Sequence, residues 1–200
     1  MSHKNGSTHG HCHTHSKHKR GSGSFWMHDP AVIFHELNLK DGDRFLDMGC
    51  GPGDYAVRAA QIVGNSGVVY ALDIREKTID DLKERANSQG IKNIKPMVSD
   101  ITTPLPIGDN CIDVCFIATV LHIPDVARNW RRLFTEIRRV LRPDGRMAII
   151  ECKKEDQPFG PPGHMRLSPE DLEDSIVQYG FEKVGFADLG YNYMIQFTAT

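Results

Sequence analysis

The sequence predicts an α/β fold: a mostly parallel, seven-stranded sheet with helices on both faces and an antiparallel hairpin at its C-terminal end. Three observations predict it. Short apolar runs, several ending in an acid, alternate with segments of helical spacing. The run at 44–48 passes through Gly49, Gly51 and Gly53 directly into a helix-like segment, which reads as strand, tight turn and helix start. The apolar runs at 181–187 and 191–199 are separated only by Asp188-Leu189-Gly190, which makes them a hairpin and the antiparallel edge of the sheet.

Residues 1–24 are read as a disordered tail, rich in histidine and followed by Gly21-Ser22-Gly23-Ser24. His9, His11, His13 and His15 alternate there around Cys12, a composition that suits Zn²⁺, Ni²⁺ or copper ions. The spacing lacks the defined pattern of a zinc module, so a flexible tail without a metal is the competing reading. The folded domain is expected at 25–200. Asp29-Pro30 starts a helix, with Asp as N-cap and Pro in the first turn. Trp26, Met27 and His28 precede it, at the mouth of any ligand site, where His28 is a candidate substrate contact.

Strand one (44–48) and the glycine turn lead to a helix at 55–63 whose small residues suit close packing. Val68-Val69-Tyr70-Ala71-Leu72 reads as a buried parallel strand ending at Asp73. A helix follows at 76–88, then strand three at 93–98, leading to Ser99-Asp100-Ile101. The run at 111–119 is strand four. Residues 125–141 show the clearest helical periodicity, with Val126, Trp130, Leu133, Phe134, Ile137, Val140 and Leu141 on one face. Five arginines on the other face read as a solvated surface. Arg142-Pro143-Asp144-Gly145 is a turn before strand five at 146–151. The loop 153–167 is too long for a plain connector, and a capped helix begins at Ser168-Pro169.

Composition narrows the function classes. The 200 residues carry a net charge of -2, which argues against a nucleic-acid binder. No apolar run is long enough to span a bilayer, and the polar N-terminus lacks the apolar core of a secretory signal. An odd number of cysteines, mostly in apolar segments, suggests reduced thiols and a cytoplasmic protein.

The chemistry gathers where parallel strands end. Strand one delivers Asp47 and the turn of Gly49, Cys50, Gly51 and Gly53, with Tyr55 just beyond. Strand two delivers Asp73 and Ile74, strand three Asp100 and Ile101, and strand four Ala118, Thr119 and His122. A carboxylate after strand two is placed for a ribose diol, and one after strand three for an adenine amino group, so the implied ligand is an adenosine derivative. The glycines alone fit a dinucleotide: the pattern fails from Gly49, whose sixth position is Asp54, but passes from Gly51 through Ala56. Asp54 at the helix start repels a pyrophosphate. Together with Asp47 it favours a ligand carrying a sulfonium and an ammonium group.

These motifs resemble the class I S-adenosylmethionine-dependent methyltransferases over about residues 25–200. Leu46-Asp47-Met48-Gly49-Cys50-Gly51-Pro52-Gly53 is similar to that family's first motif, Asp73 to its ribose-binding acid, Asp100-Ile101 to its adenine segment, and Leu141-Arg142-Pro143-Asp144-Gly145-Arg146 to the turn before its fifth strand. Within the family the subgroup resembles the ubiquinone/menaquinone-biosynthesis type. The resemblance implies a Rossmann-like methyltransferase fold and S-adenosyl-L-methionine as cofactor, with S-adenosyl-L-homocysteine as product. It also implies a small-molecule acceptor, with Asp47, Gly49, Cys50, Gly51, Gly53, Tyr55, Asp73, Ile74, Asp100, Ile101, Ala118 and Thr119 as the cofactor set. A monomer or homodimer is expected. His122 and Glu151 are the candidate catalytic groups; Lys153 and His164 join His28 as candidate acceptor contacts. Two alternatives stand beside this reading: an NAD-type oxidoreductase on the same fold, and a non-catalytic metal-binding protein that works through its tail.

Overall fold

A computed structural model describes residues 23–200. Seven strands form one sheet in the order β3-β2-β1-β4-β5-β7-β6. They are β1 (Arg44–Met48), β2 (Val68–Asp73), β3 (Ile94–Val98), β4 (Ile112–Ala118), β5 (Leu141–Cys152), β6 (Phe181–Asp188) and β7 (Asn192–Ala199). The first five run parallel to one another, while β7 runs antiparallel to both β5 and β6. The strand order reverses between β1 and β4, and a ligand crevice belongs at the C-terminal strand ends there.

Side chains alternate across the sheet with the period of two that strands impose. Phe45 faces one apolar layer, with Val69, Val114, Phe116 and Ile150. Leu46 and Met48 face the other, with Leu72, Cys115 and Ile117. The first layer is covered by α1 (Pro30–Leu37), α2 (Asp54–Val63) and α3 (Glu76–Ser88). The second is covered by α4 (Pro124–Ala127), α5 (Trp130–Val140) and α6 (Pro169–Val177). Asp47 lies between two core residues on β1 and is 1% exposed.

The helix starts follow capping chemistry. Asp29 Oδ1 accepts from the Ala31 N–H at 2.9 Å ahead of Pro30, and Ser168 Oγ accepts from the Asp171 N–H at 3.1 Å ahead of Pro169. Ser24–Met27 form a separate 3-10 turn ahead of the expected helix start at Asp29-Pro30. Two expectations need adjustment. The helix expected over 125–141 is two helices, parted at Arg128 and Asn129. There the Asn129 amide donates to the Asp125 carbonyl at 2.8 Å, competing with the helical ladder. The turn expected at 142–145 is the irregular start of β5, with a register shift against β4.

The arginines of α5 are less free than the sequence suggests. Arg139 bonds Glu136, Asp109 and the carbonyls of Leu105 and Ile107. Arg138 donates to the carbonyls of Gly180 and Thr200. Each thereby ties a loop or terminus to the helix.

Candidate active site

A cleft of about 700 Å³ opens at the C-terminal ends of β1, β2, β3 and β4. Among the described residues, Asp47, Asp54, Asp73, Asp100 and Asp125 line it, against a single basic residue, Arg75. Its floor is the turn after β1. Gly49 and Cys50 both donate N–H bonds of 2.8 Å to the Leu72 carbonyl, which fastens the turn to β2. Gly51 donates to Asp73 Oδ2 at 3.0 Å. At φ +50° Gly51 has nothing within 4 Å of where a Cβ would stand, so the backbone there is bare toward the cleft.

Asp73 is 6% exposed and is held on its other side by Arg75, whose backbone N–H and Nε donate to Oδ1 at 2.9 and 3.2 Å. Asp100 Oδ1 accepts from the backbone and hydroxyl of Thr102, both at 2.8 Å. Cys50, Tyr55, Ile74, Ile101, Ala118 and Thr119 also line the cleft. Thr119 adopts φ 56°, a left-handed conformation that a β-branched residue rarely takes. Its N–H reaches the Ile150 carbonyl at 2.7 Å, and that bond holds the strained turn.

Asp47 is the most perturbed carboxyl. Burial, then the charges of Asp73 and Asp54, raise its pKa to about 8, with only the Ala56 backbone N–H favouring the charged form. Its Oδ2 is buried without a partner among the described residues. An orphaned buried carboxyl oxygen, a bare glycine backbone and an excess of acid fit an adenosine ligand that carries positive charge.

Several expected residues stand elsewhere. Gly53 does not line the cleft: at φ +78° a Cβ would lie 2.5 Å from Leu82 Cδ1, so this glycine lets α2 pack on α3. Gly53→Ala is expected to destabilise the fold by roughly 2–4 kcal/mol, read from urea unfolding. Asp54 pairs with Arg85 at 2.8 Å, so its charge is offset and contributes less to the cleft than the sequence argument assumes. Glu151 is 1% exposed and absent from the cleft wall. Its Oε1 accepts the Leu121 N–H at 2.8 Å and its Oε2 meets His122 Nδ1 at 2.8 Å, which makes it a support for the segment after β4.

His122 is 14% exposed and does not line the cleft itself, although Val120 and Ile123 on either side of it in the sequence do. Lys153 pairs with Asp188 at 2.8 Å, and His164 sits in a 3-10 turn outside the cleft. His28 has its Nδ1 3.5 Å from the Tyr55 hydroxyl and does not line the cleft, and burial lowers its pKa. His9, His11, His13 and His15 lie outside the described residues. Among the described residues, no group of three or more His, Cys, Asp or Glu is placed to hold a metal ion, and no helix is long and apolar enough to cross a membrane.

Sequence reasoning missed part of the wall. Gly23 and Ser24, assigned to the tail, line the cleft with Phe25, whose ring meets Tyr55 edge-on at 5.0 Å. Asp125 and Val126 of α4 and Asn129 at the break before α5 line it as well. The Asn129 side chain was the available signal, since Asn in a helical run competes for backbone carbonyls.

Residues 39–185 match a family model described as a methyltransferase domain. The chain is 32% identical over 128 residues to a demethylmenaquinone methyltransferase of Lactobacillus johnsonii, covering 64% of this chain and 51% of that protein. It is 34% identical over 113 residues to a 2-phytyl-1,4-naphtoquinone methyltransferase of Trichormus variabilis, covering 56% and 48%. The chain thus spans about half the length of these curated relatives. A crystal structure of a SAM-dependent methyltransferase from Aquifex aeolicus superposes with a TM-score of 0.80 and 28% identity, over 88% of this chain and 93% of that one. The sheet order, the cleft and these matches together place this chain in the class I S-adenosylmethionine-dependent methyltransferase family.

Proposed function

We propose that this chain binds S-adenosylmethionine in the cleft and transfers its methyl group to a small-molecule acceptor. The observation that carries the reading is the acid-lined cleft over a bare glycine turn, with Asp73 fixed at the end of β2. Asp73 would accept hydrogen bonds from the ribose hydroxyls, and the 100–101 segment would meet the adenine. Asp47 and the Gly49–Gly51 backbone would face the charged end of the ligand. When bound, the cofactor supplies an electrophilic methyl carbon whose bond to sulfur breaks as the acceptor's bond to carbon forms, leaving a neutral thioether.

The chain's own tasks are then alignment and exclusion of water. Phe25, Tyr55, Val120 and Ile123 present apolar surface beside the acids. His122, braced through Nδ1 by Glu151, is the group we assign to accept the proton that an acceptor hydroxyl or carbon loses. Gly23 and Ser24 take part in the cofactor cleft in this reading.

The relatives' names make a naphthoquinol the first acceptor to try. Transfer of labelled methyl from S-adenosylmethionine to a demethylnaphthoquinol tests the reading, and a chain that binds the cofactor but methylates no quinol or phenol overturns the acceptor class. In the active case His122→Asn is expected to lower kcat by about 10²-fold or more with cofactor binding unchanged. Glu151→Gln keeps an acceptor for the Leu121 N–H but removes the charge behind His122. It should therefore shift the pH–rate profile rather than abolish activity.

A further inference from the structure

Among the described residues, the cleft wall holds more acidic groups than cations, and one of the acids is deeply buried. Asp47 is 1% exposed, and its Oδ2 has no hydrogen-bond partner among the described residues. The groups around it give a carboxylate little support. Asp73 lies at the end of β2 and Asp54 at the start of α2, both repelling it. Cys50 in the turn, Tyr55 on α2 and Cys115 on β4 are groups that burial holds neutral, so none of them offers it a countercharge. The nearby cations are committed to other acids: Arg75 to Asp73, and Arg85 to Asp54 at 2.8 Å. The N-terminal segment contributes Gly23, Ser24 and Phe25 to the wall, none of them basic, and His28 behind Tyr55 is held toward its neutral form by burial.

We propose that Asp47 carries a proton in the ligand-free cleft and releases it to solvent when a positively charged adenosine ligand enters, so that cofactor binding is coupled to proton release. This rests on the cofactor reading above and adds a proton to it. A carboxylic acid is the form that an acid-crowded, buried site tolerates. A ligand bearing a sulfonium and an ammonium group supplies the missing countercharge, and the carboxylate becomes the favoured form. A neutral adenosine compound in the same cleft leaves the proton where it is. The cleft therefore distinguishes ligands by charge as well as shape, and the distinction sharpens as pH rises.

Titration calorimetry of the full chain with S-adenosylmethionine at pH 6.5, in two buffers of different ionisation enthalpy, reads the proton directly. Binding heats should differ by an amount equivalent to about one proton released. Affinity should rise by up to about tenfold per pH unit between pH 5.5 and 7.5, below the titration of the ligand's own amino group. With 5′-methylthioadenosine, which is neutral, both effects should be absent. Asp47→Asn should bind S-adenosylmethionine with a flat pH profile and no buffer dependence. Equal heats in both buffers for the wild-type chain overturn the proposal, as does a pH dependence that survives Asp47→Asn, which would move the proton to Asp73, His28 or His122. If S-adenosylmethionine fails to bind at any pH, the cofactor reading falls and takes the proposal with it.

Discussion

Asp73→Ala is expected to weaken S-adenosylmethionine binding by a hundredfold or more, while circular dichroism stays that of the wild type. The carboxylate has two tasks. It stands at the end of β2 to accept the ribose hydroxyls, and it accepts the Gly51 N–H at 3.0 Å, which holds the glycine turn in position. A hydrogen bond to a charged group is worth about 1.5–3 kcal/mol. Losing two such bonds amounts to roughly 3–6 kcal/mol, which is a hundredfold or more in affinity. Asp73→Asn separates the tasks. Its amide oxygen can still receive the Gly51 N–H, so the turn keeps its shape while the charge that binds the diol is gone. The asparagine variant should therefore fall between the wild type and the alanine variant.

A second large effect concerns stability in the absence of ligand. Asp47 has its pKa raised from 3.8 to about 8 by burial and by Asp73 and Asp54. The sign follows from proton counting. Between those two values the folded chain keeps a proton that the unfolded chain has released. Unfolding is therefore favoured progressively as pH rises from about 4 to about 8, and the penalty is constant above 8. Its size is on the order of several kcal/mol, since each tenfold change in proton affinity is worth about 1.4 kcal/mol. Asp47→Asn removes the titrating group. For a domain of this size the variant should melt on the order of 10–20 °C above the wild type at pH 8, with the difference closing toward pH 4. A differential scan across that pH range checks it, and a wild-type Tm that is flat from pH 4 to 8 would deny that Asp47 is a buried acid. Saturating S-adenosylmethionine should shrink the difference at pH 8, because the cation stabilises the ionised wild-type residue and not the amide.

Much of the fold was legible because the sequence patterns are local. Parallel strands buried on both faces read as continuous apolar runs, as at Val68–Asp73 and Ile112–Ala118, and the helix starts at Asp29 and Ser168 carry their caps beside them. The break at Asn129 was hidden because the apolar spacing of 126–141 continues through it, and periodicity reports a face, not the continuity of a ladder. The acids at the strand ends were visible for a related reason. A parallel sheet sends every strand end the same way, so Asp47, Asp73 and Asp100 converge once the strands are recognised.

Long-range pairings were not visible in the same way. That Arg85 offsets Asp54, that Glu151 turns inward to hold Leu121 and His122, and that Lys153 is taken up by Asp188 depend on partners 31, 30 or 29, and 35 residues away. Gly53 shows the same limit within the motif. A glycine in a ligand-binding turn invites a ligand role, yet the atom it makes room for is Leu82 Cδ1, in the next helix.

The acid-lined cleft is expected to accept a cationic adenosine cofactor and not a dinucleotide. Calorimetric titration of the full chain with S-adenosylmethionine and with NAD at pH 7.5 decides between them. One-to-one binding of S-adenosylmethionine, absent in Asp73→Ala, with no heat from NAD, is the predicted result. Binding of NAD with none of S-adenosylmethionine would contradict it.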